Sequence, residues 1–347
     1  MTAPVAINAR AAVRGQIGGV ERVARELAGR LPALRPDRYR VIAPRPALAH
    51  RRGHVWEQAV LPLLARDSEL LLSPANLAPV ASRRNVVSIH DVAPFMGDWY
   101  GSLYGRWHRA LLPRVARGAL RVIAPSESVR TQLVELLRVP EERTRVVALG
   151  VDPALGERAD PEGAAAHHGL SAPYVLAVGT DLPRKNFELL DRVSAPLGRE
   201  GIEVVLAGST RHYMPRGSYS VRELGYVPEE NLPGLYAGAA AFAMPSLYEG
   251  FGLPCLEAMA CGTPVVASNR AALPETCGDA ALLVDPTDHE AFAEALLVAA
   301  GPGATRAALI EAGTERATHL TWQRTAEEVN AIVDEILGTE DWGLGTS

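Results

Sequence analysis

The feature that most constrains this chain is a rhythm: short apolar runs alternate with helical patterns along nearly all of its 347 residues. A run that is apolar throughout, and not only at every second position, needs cover on both faces. Strand–helix alternation supplies that cover through parallel sheets flanked by helices. In the first half the runs Val5–Asn8, Tyr39–Ala43, Leu70–Leu72, Val86–Ile89, Arg121–Ala124 and Arg145–Val147 predict strands. Helices are expected between them at Val20–Leu31, Leu103–Arg117 and Ser126–Leu137, the last with Ser126 as its N-cap. A second series repeats the style. Its strands are expected at Tyr174–Val178, Val204–Ala207, Ala240–Ala243, Val265–Ala267 and Leu282–Val284, and its helices at Phe187–Leu197, Asn231–Ala237, Pro254–Ala260 and Asp288–Ala299.

Two such series imply an α/β protein of two doubly wound domains facing across a cleft, with ligands at the carboxyl ends of the strands. The length agrees, at ~150 residues per domain. The first domain is expected over residues 1–152 and the second over 153–321. Their boundary falls in Val151–Ala172, which is rich in Ala, Gly, Pro and charge and has no apolar period. A last helical pattern, Trp322–Leu337, comes after the second series is complete and is expected to cross back to the first domain, followed by a frayed tail.

Three cysteines (Cys255, Cys261, Cys277) form no C-x-x-C pair, which suits a reducing compartment. Met1–Arg10 has no basic stretch leading into an apolar run, so it reads as a strand and not as a signal peptide. The apolar stretch Leu232–Tyr248 is interrupted by Gly234, Gly238 and Pro245 and falls short of the ~20 residues a spanning helix needs. A cytoplasmic place is expected.

Charge is distributed unevenly. Residues 1–152 carry 23 Arg, no Lys and 13 acidic residues, a net of +10, whereas residues 153–347 carry 12 basic and 27 acidic residues, a net of −15. Either the first half meets something anionic, or the two halves attract each other. The helical pattern Leu103–Arg117, with Arg106, Arg109, Arg114 and Arg117 beside Leu103, Trp107, Leu111 and Leu112, could rest on an anionic membrane. Its apolar side could equally be core. Only one Lys, Lys185, occurs in the chain.

Chemistry concentrates in a few segments. In Ser246–Gly262 an apolar strand enters a turn with Gly250 and Gly252, then a helix with Pro254 near its first position and Gly262 at its end. The turn presents bare backbone N–H groups at a helix N-terminus, a ready seat for a diphosphate. Glu249 and Glu257 bracket it, eight residues apart. Eight helical residues rise ~12 Å, more than the ~5–9.5 Å between the paired carboxylates of glycoside hydrolases, so that reading is poor. Val178–Asn186 likewise leaves a strand, and its Arg184 and Lys185 could clamp a leaving diphosphate. A compact ammonium at the one Lys of an arginine-rich chain points the same way. His90 follows the Val86–Ile89 strand, and Gly18-Gly19 follows the first strand, both on the cleft. The loop Arg14–Val20 has neither a dinucleotide fingerprint nor a P-loop. The chain contains no D-x-D, no clustered His/Cys ligands, no G-x-S-x-G elbow and no nucleic-acid pattern of interleaved basic and aromatic residues.

With those residues in view, Gly225–Tyr236 and Pro245–Ser268 closely resemble the family-4 retaining glycosyltransferases of the GT-B fold, two Rossmann-like domains around a cleft. Their Glu-x7-Glu motif is matched by Glu249 and Glu257. Gly179-Thr-x-x-Pro-Arg-Lys-Asn186, Ile89-His-Asp91, Pro125-Ser-Glu127, Leu149-Gly-Val-Asp152 and Ala280–Pro286 are further matches. The resemblance is strong over residues 174–300 and thinner before residue 85.

The resemblance implies a hexosyltransferase that uses a nucleotide-diphosphate sugar, with GDP-mannose favoured over a UDP-sugar, and a saccharide or lipid-linked acceptor. It implies that Arg184 and Lys185 bind the donor diphosphate, and that Leu253 N–H reaches a phosphate. Glu249 and the Gly250-Phe251-Gly252 backbone would hold the donor sugar and Glu257 the ribose. Tyr226-Val227 would edge the base, Gly18-Gly19 would line the gap between donor and acceptor, and His90 would sit near the anomeric carbon. Thr180 stands where many members carry Arg. No metal and no further cofactor are expected. A sugar-nucleotide 2-epimerase and a non-catalytic nucleotide-sugar-binding subunit are the rival readings.

Overall fold

A computed structural model describes residues 4–15, 18–49, 53–97, 99, 102–171, 173–208 and 220–338. The first sheet is built from β1 (Val5–Asn8), β2 (Tyr39–Ile42), β3 (Leu70–Ser73), β4 (Asn85–Ser88), β5 (Arg121–Ala124) and β6 (Thr144–Val146), in the order β2-β1-β3-β4-β5-β6. The second holds β7 (Tyr174–Val178), β8 (Glu203–Ala207), β9 (Arg222–Gly225), β10 (Ala241–Met244), β11 (Val265–Ser268) and β12 (Ala281–Val284), in the order β12-β11-β10-β7-β8-β9. All pairings are parallel. The strand order turns back beside β1 in one sheet and between β7 and β10 in the other. The loops after these strands therefore open into clefts where ligands settle.

Central strands such as β1, β3, β10 and β11 are buried at every residue, as apolar runs covered on both faces must be. The first helix, Gly19–Leu34, buries Val23, Ala24, Leu27 and Leu31 on one stripe. Its start is closed by Glu21, whose carboxylate accepts the Gly18 N–H at 3.2 Å. Ser126 caps the Glu127–Leu137 helix by accepting from Val129 N at 3.2 Å.

Several elements escape the sequence reading, and three of them are instructive. β9 is a polar edge strand, half-exposed along its length, and carries no apolar run. The stretch Val151–Ala172 is not a bare linker: its Pro161–His168 helix, Ala-rich with no fully buried residue, packs on the Leu232–Gly238 helix. Ala304–His319 is a helix whose buried positions, Leu309, Gly313 and Ala317, are too small and sparse to show as a stripe. The last helix, Trp322–Gly338, packs on the first helix of the other half, and Tyr39 donates to Asn330 Oδ1 at 2.8 Å. The tail beyond it, and Gln16-Ile17 of the glycine loop, lie outside the described residues.

The charge asymmetry has a structural use. Arg22 and Arg25 pair with Glu229, and Arg38, Arg121 and Arg145 pair with Asp334 and Glu335 of the last helix. Opposite halves do attract each other here. In the Ser102–Gly118 helix, Leu112, Val115 and Ala116 are buried as core, while Trp107 remains exposed.

Candidate functional site

A cavity of about 310 Å³ lies where the carboxyl ends of the two sheets meet. It gathers Gly18, Gly19, His90, Arg184, Lys185, Tyr226, Val227, Glu249, Gly250, Phe251, Gly252, Leu253 and Glu257, which is every site residue named from the sequence. The same wall also holds Thr180, and Glu21, Arg22 and Asn76, which sequence reasoning did not single out.

One end is a compact charge cluster. Lys185 Nζ lies 2.7 Å and Arg184 Nη1 3.0 Å from Glu249 Oε1. Burial alone would raise the Glu249 pKa, but Arg184 and Lys185 outweigh it and bring the carboxyl down to about 2. Arg184 also donates to the Tyr248 carbonyl at 2.9 Å, and its own carbonyl accepts from Leu247 N at 2.7 Å. Asn186 explains its place in the motif. At φ +54° it adopts a left-handed turn, and its Nδ2 donates to Pro245 O at 3.1 Å and Pro286 O at 3.0 Å. The two cation-bearing residues are thus bolted to the loops after β10 and β12.

Beside this cluster the Leu253–Ala260 helix begins. Gly252 is its N-cap at φ +109°, a conformation that L side chains rarely adopt. Gly252, Leu253 and Pro254 at its start line the cavity, and the first N–H groups of a helix have no partner within it, an arrangement able to hold a phosphate. Gly250 packs so closely against the first half that a Cβ there would collide with the His90 carbonyl. Ser126 spans the same seam, donating its hydroxyl to Gly250 O at 2.8 Å while it caps its own helix. Tyr248 donates to Gln132 Oε1 at 2.7 Å and its hydroxyl accepts from Val92 N at 3.1 Å. Glu275 accepts from Glu127 N at 2.9 Å.

His90 stands on the opposite wall. Its Nε2 lies 2.7 Å from the Pro74 carbonyl, and its backbone N donates to Asn76 Oδ1 at 2.7 Å. Burial lowers its pKa, against the Pro74 contact, so the ring is neutral, with the proton on Nε2. Nδ1 is then a buried acceptor without a protein partner, a lone pair available to a ligand hydroxyl. The signal for Asn76 is its φ of +63°, a structural property that nothing in the sequence announces.

Glu257 sits at the far end. Tyr236 donates to its Oε2 at 2.8 Å, and Arg22 of the first helix pairs with its Oε1. Tyr226, exposed, and Val227, buried, border the same region. Among the described residues no group of His, Cys, Asp and Glu is arranged to hold a metal ion.

Two family models match the chain, one described as glycosyl transferases group 1 over residues 172–300 and one as glycosyltransferase family 4 over residues 70–155. An O-antigen chain mannosyltransferase B of Escherichia coli is 32% identical over 301 residues, which are 82% of this chain and 78% of the relative. An MMP alpha-(1->4)-mannosyltransferase of Mycolicibacterium hassiacum is 29% identical over 259 residues, 70% of this chain and 59% of that one. Among solved structures, a sucrose-phosphate synthase from Thermosynechococcus elongatus superposes with a TM-score of 0.75 at 21% identity, covering 97% of this chain and 99% of its own. The fold is GT-B.

Proposed function

The chain belongs to the group 1 and family 4 glycosyltransferases, and from that premise we propose that it moves a hexose from a nucleotide-diphosphate sugar to a saccharide or lipid-linked acceptor, with retention at the anomeric carbon. The observation that carries the reading is the Glu249–Lys185–Arg184 cluster set against the start of the Leu253–Ala260 helix. It places an ionised carboxylate, two cations and bare N–H groups within one small cavity. That combination suits a sugar hydroxyl next to a diphosphate.

In this reading the diphosphate rests on Lys185, Arg184 and the N–H groups from Gly252 and Leu253. Glu249 accepts from hydroxyls of the donor hexose, and His90 Nδ1 accepts another. Glu257 takes the ribose, Tyr226 and Val227 edge the base, and Gly18-Gly19 line the gap toward the acceptor. The protein contributes positioning and charge stabilisation of the departing diphosphate. Glu249 is tied to two cations and faces the hydroxyl side of the sugar, and neutral His90 lacks a base to activate it. We therefore place attack on the face the diphosphate leaves, with a phosphate oxygen taking the acceptor proton. The helix start and the two cations neutralise the leaving group, so turnover is expected to persist in EDTA. Names of the relatives favour mannose as the sugar, and GDP is our lean for its nucleotide, with a UDP-sugar as the alternative. Exposed Trp107, on a helix with four arginines, is the place where an anionic membrane at the cytoplasmic face would be met.

A panel of nucleotide sugars, read by both binding and product release, tests the reading. Transfer with a retained anomeric configuration and no covalent sugar adduct by mass spectrometry is the expected result. An inverted product, an adduct, or binding without turnover would overturn it.

A further inference from the structure

We propose that Arg22 competes with the nucleotide's ribose for Glu257, and so sets how strongly this enzyme senses the ribose diol. The inference rests on the reading above that Glu257 receives the ribose. Arg22 projects from the first helix of one half, and Glu257 from the Leu253–Ala260 helix of the other. Its guanidinium pairs with Glu257 Oε1, while the side of the carboxylate away from the cavity is taken by the buried Tyr236 hydroxyl. Both Arg22 and Glu257 line the cavity, and Glu257 is only 5% exposed. A diol that approaches from the cavity therefore meets Oε1 with Arg22 already on it.

The exchange is chemically balanced. A nearly buried carboxylate needs a partner, because an uncompensated buried charge is costly. Arg22 satisfies that need from across the cleft, and two ribose hydroxyls donating to the same oxygens would satisfy it from within the cavity. Arg22 has somewhere to go, because its Nε lies 2.7 Å from Glu229, which also pairs with Arg25. Glu229 precedes the Leu232–Gly238 helix that carries Tyr236. One arginine thus tethers the first helix to both carboxylates beside the proposed base and ribose seat. Taking it off Glu257 frees that carboxylate and leaves the tether to Glu229.

The test uses equilibrium binding of GDP, UDP and their 2′,3′-dideoxy analogues to the wild-type protein, Arg22→Gln, Glu257→Ala and the double variant. Wild type is expected to distinguish a nucleotide from its dideoxy form by only a few-fold, since the diol's gain is offset by the lost ion pair. Arg22→Gln is expected to bind the diol-bearing nucleotide about tenfold more tightly, the worth of a charge-assisted hydrogen bond, and the dideoxy form unchanged. Adding Glu257→Ala should abolish that gain. Arg22→Lys, which keeps the charge but loses the planar fork, should fall between, and thermal unfolding confirms that each variant is folded. If Arg22→Gln weakens both forms alike, Arg22 is a ligand of the phosphates or base and the proposal fails. It also fails if the discrimination does not change while Glu257→Ala still loses nucleotide affinity, which would leave the ribose reading standing. A diol preference that survives Glu257→Ala would remove the ribose reading and the proposal together.

Discussion

The two carboxylates that flank the Leu253–Ala260 helix are neutralised from different directions. Glu249 receives its cations, Arg184 and Lys185, from the same sheet that carries it, on a loop locked by Asn186. Glu257 receives its cation, Arg22, from the opposite half. The charge cluster assigned to the diphosphate is therefore complete within one half, although His90 faces it from the other, whereas the Glu257 cluster is complete only when the halves meet. Self-contained charge clusters suit the part of a substrate where bonds change. A shared cluster suits a part whose binding is coupled to how the two halves are joined.

Removing each carboxylate in turn is the strongest way to break this contrast. Glu249→Ala leaves Lys185 buried without its counter-charge and should destabilise the fold by about 3–5 kcal/mol, the cost of breaking a buried pair. Glu257→Ala leaves Arg22 with Glu229 but strands the buried Tyr236 hydroxyl, and should cost about 1–3 kcal/mol, the loss for one buried donor left without its acceptor. Urea denaturation of both variants checks this, and equal losses would erase the distinction.

Lys185→Ala probes the self-contained end by function. Losing one charged hydrogen bond to the diphosphate should cost roughly 1.5–3 kcal/mol in donor handling, about ten- to a hundredfold in kcat/KM. Unchanged kinetics would move the phosphate seat elsewhere.

The seam itself can be tested at Gly250, where an added Cβ would run into the His90 carbonyl. Gly250→Ala should cost about 1–3 kcal/mol as an overpacked contact and should lower turnover by forcing His90 and Glu249 apart. Gly15→Ala, with open space around its Cα, is the matched control.

The smallest expected effect sharpens the first half. Burial, aided by Arg10, lowers the His54 pKa to about 4. The folded protein thus holds this ring neutral, whereas the unfolded chain titrates near 6.5. Stability from this group is fully present above pH 6.5 and declines as pH falls toward 4. Partial exposure screens the effect to about 1 kcal/mol, visible as a flatter Tm profile between pH 7 and 4.5 in His54→Phe.

What was legible in the sequence follows the same divide. Residues 244–262 and 178–188 each hold strand end, turn and helix start together, so their chemistry shows in consecutive letters. Strand cores such as Val5–Asn8 and Tyr174–Val178 stood out because burial on both faces demands unbroken apolar runs. β9 did not, because an edge strand tolerates Arg and Glu. Arg22 belongs to no motif and is one of several charges on the first helix. Its meaning comes from a carboxylate 235 residues away in the chain. Asn76 owes its role to a backbone angle and to a hydrogen bond from His90, neither of which a single letter encodes.

The crossing at Val151 and Thr321 carries a mechanical consequence. The chain passes between the halves twice at one place, and the two passages are laced together by Val151 N donating to Leu320 O at 2.9 Å and by a bridge between Val151 and Thr321. They run so close that Gly150 has no room for a side chain. Two cords bound side by side act as the spine of a book. Such a spine is expected to let its covers swing and to resist sliding, with the last helix, packed on the first helix, turning with that cover. Any opening is then expected to change how far His90 stands from Glu249 more than which residues face each other.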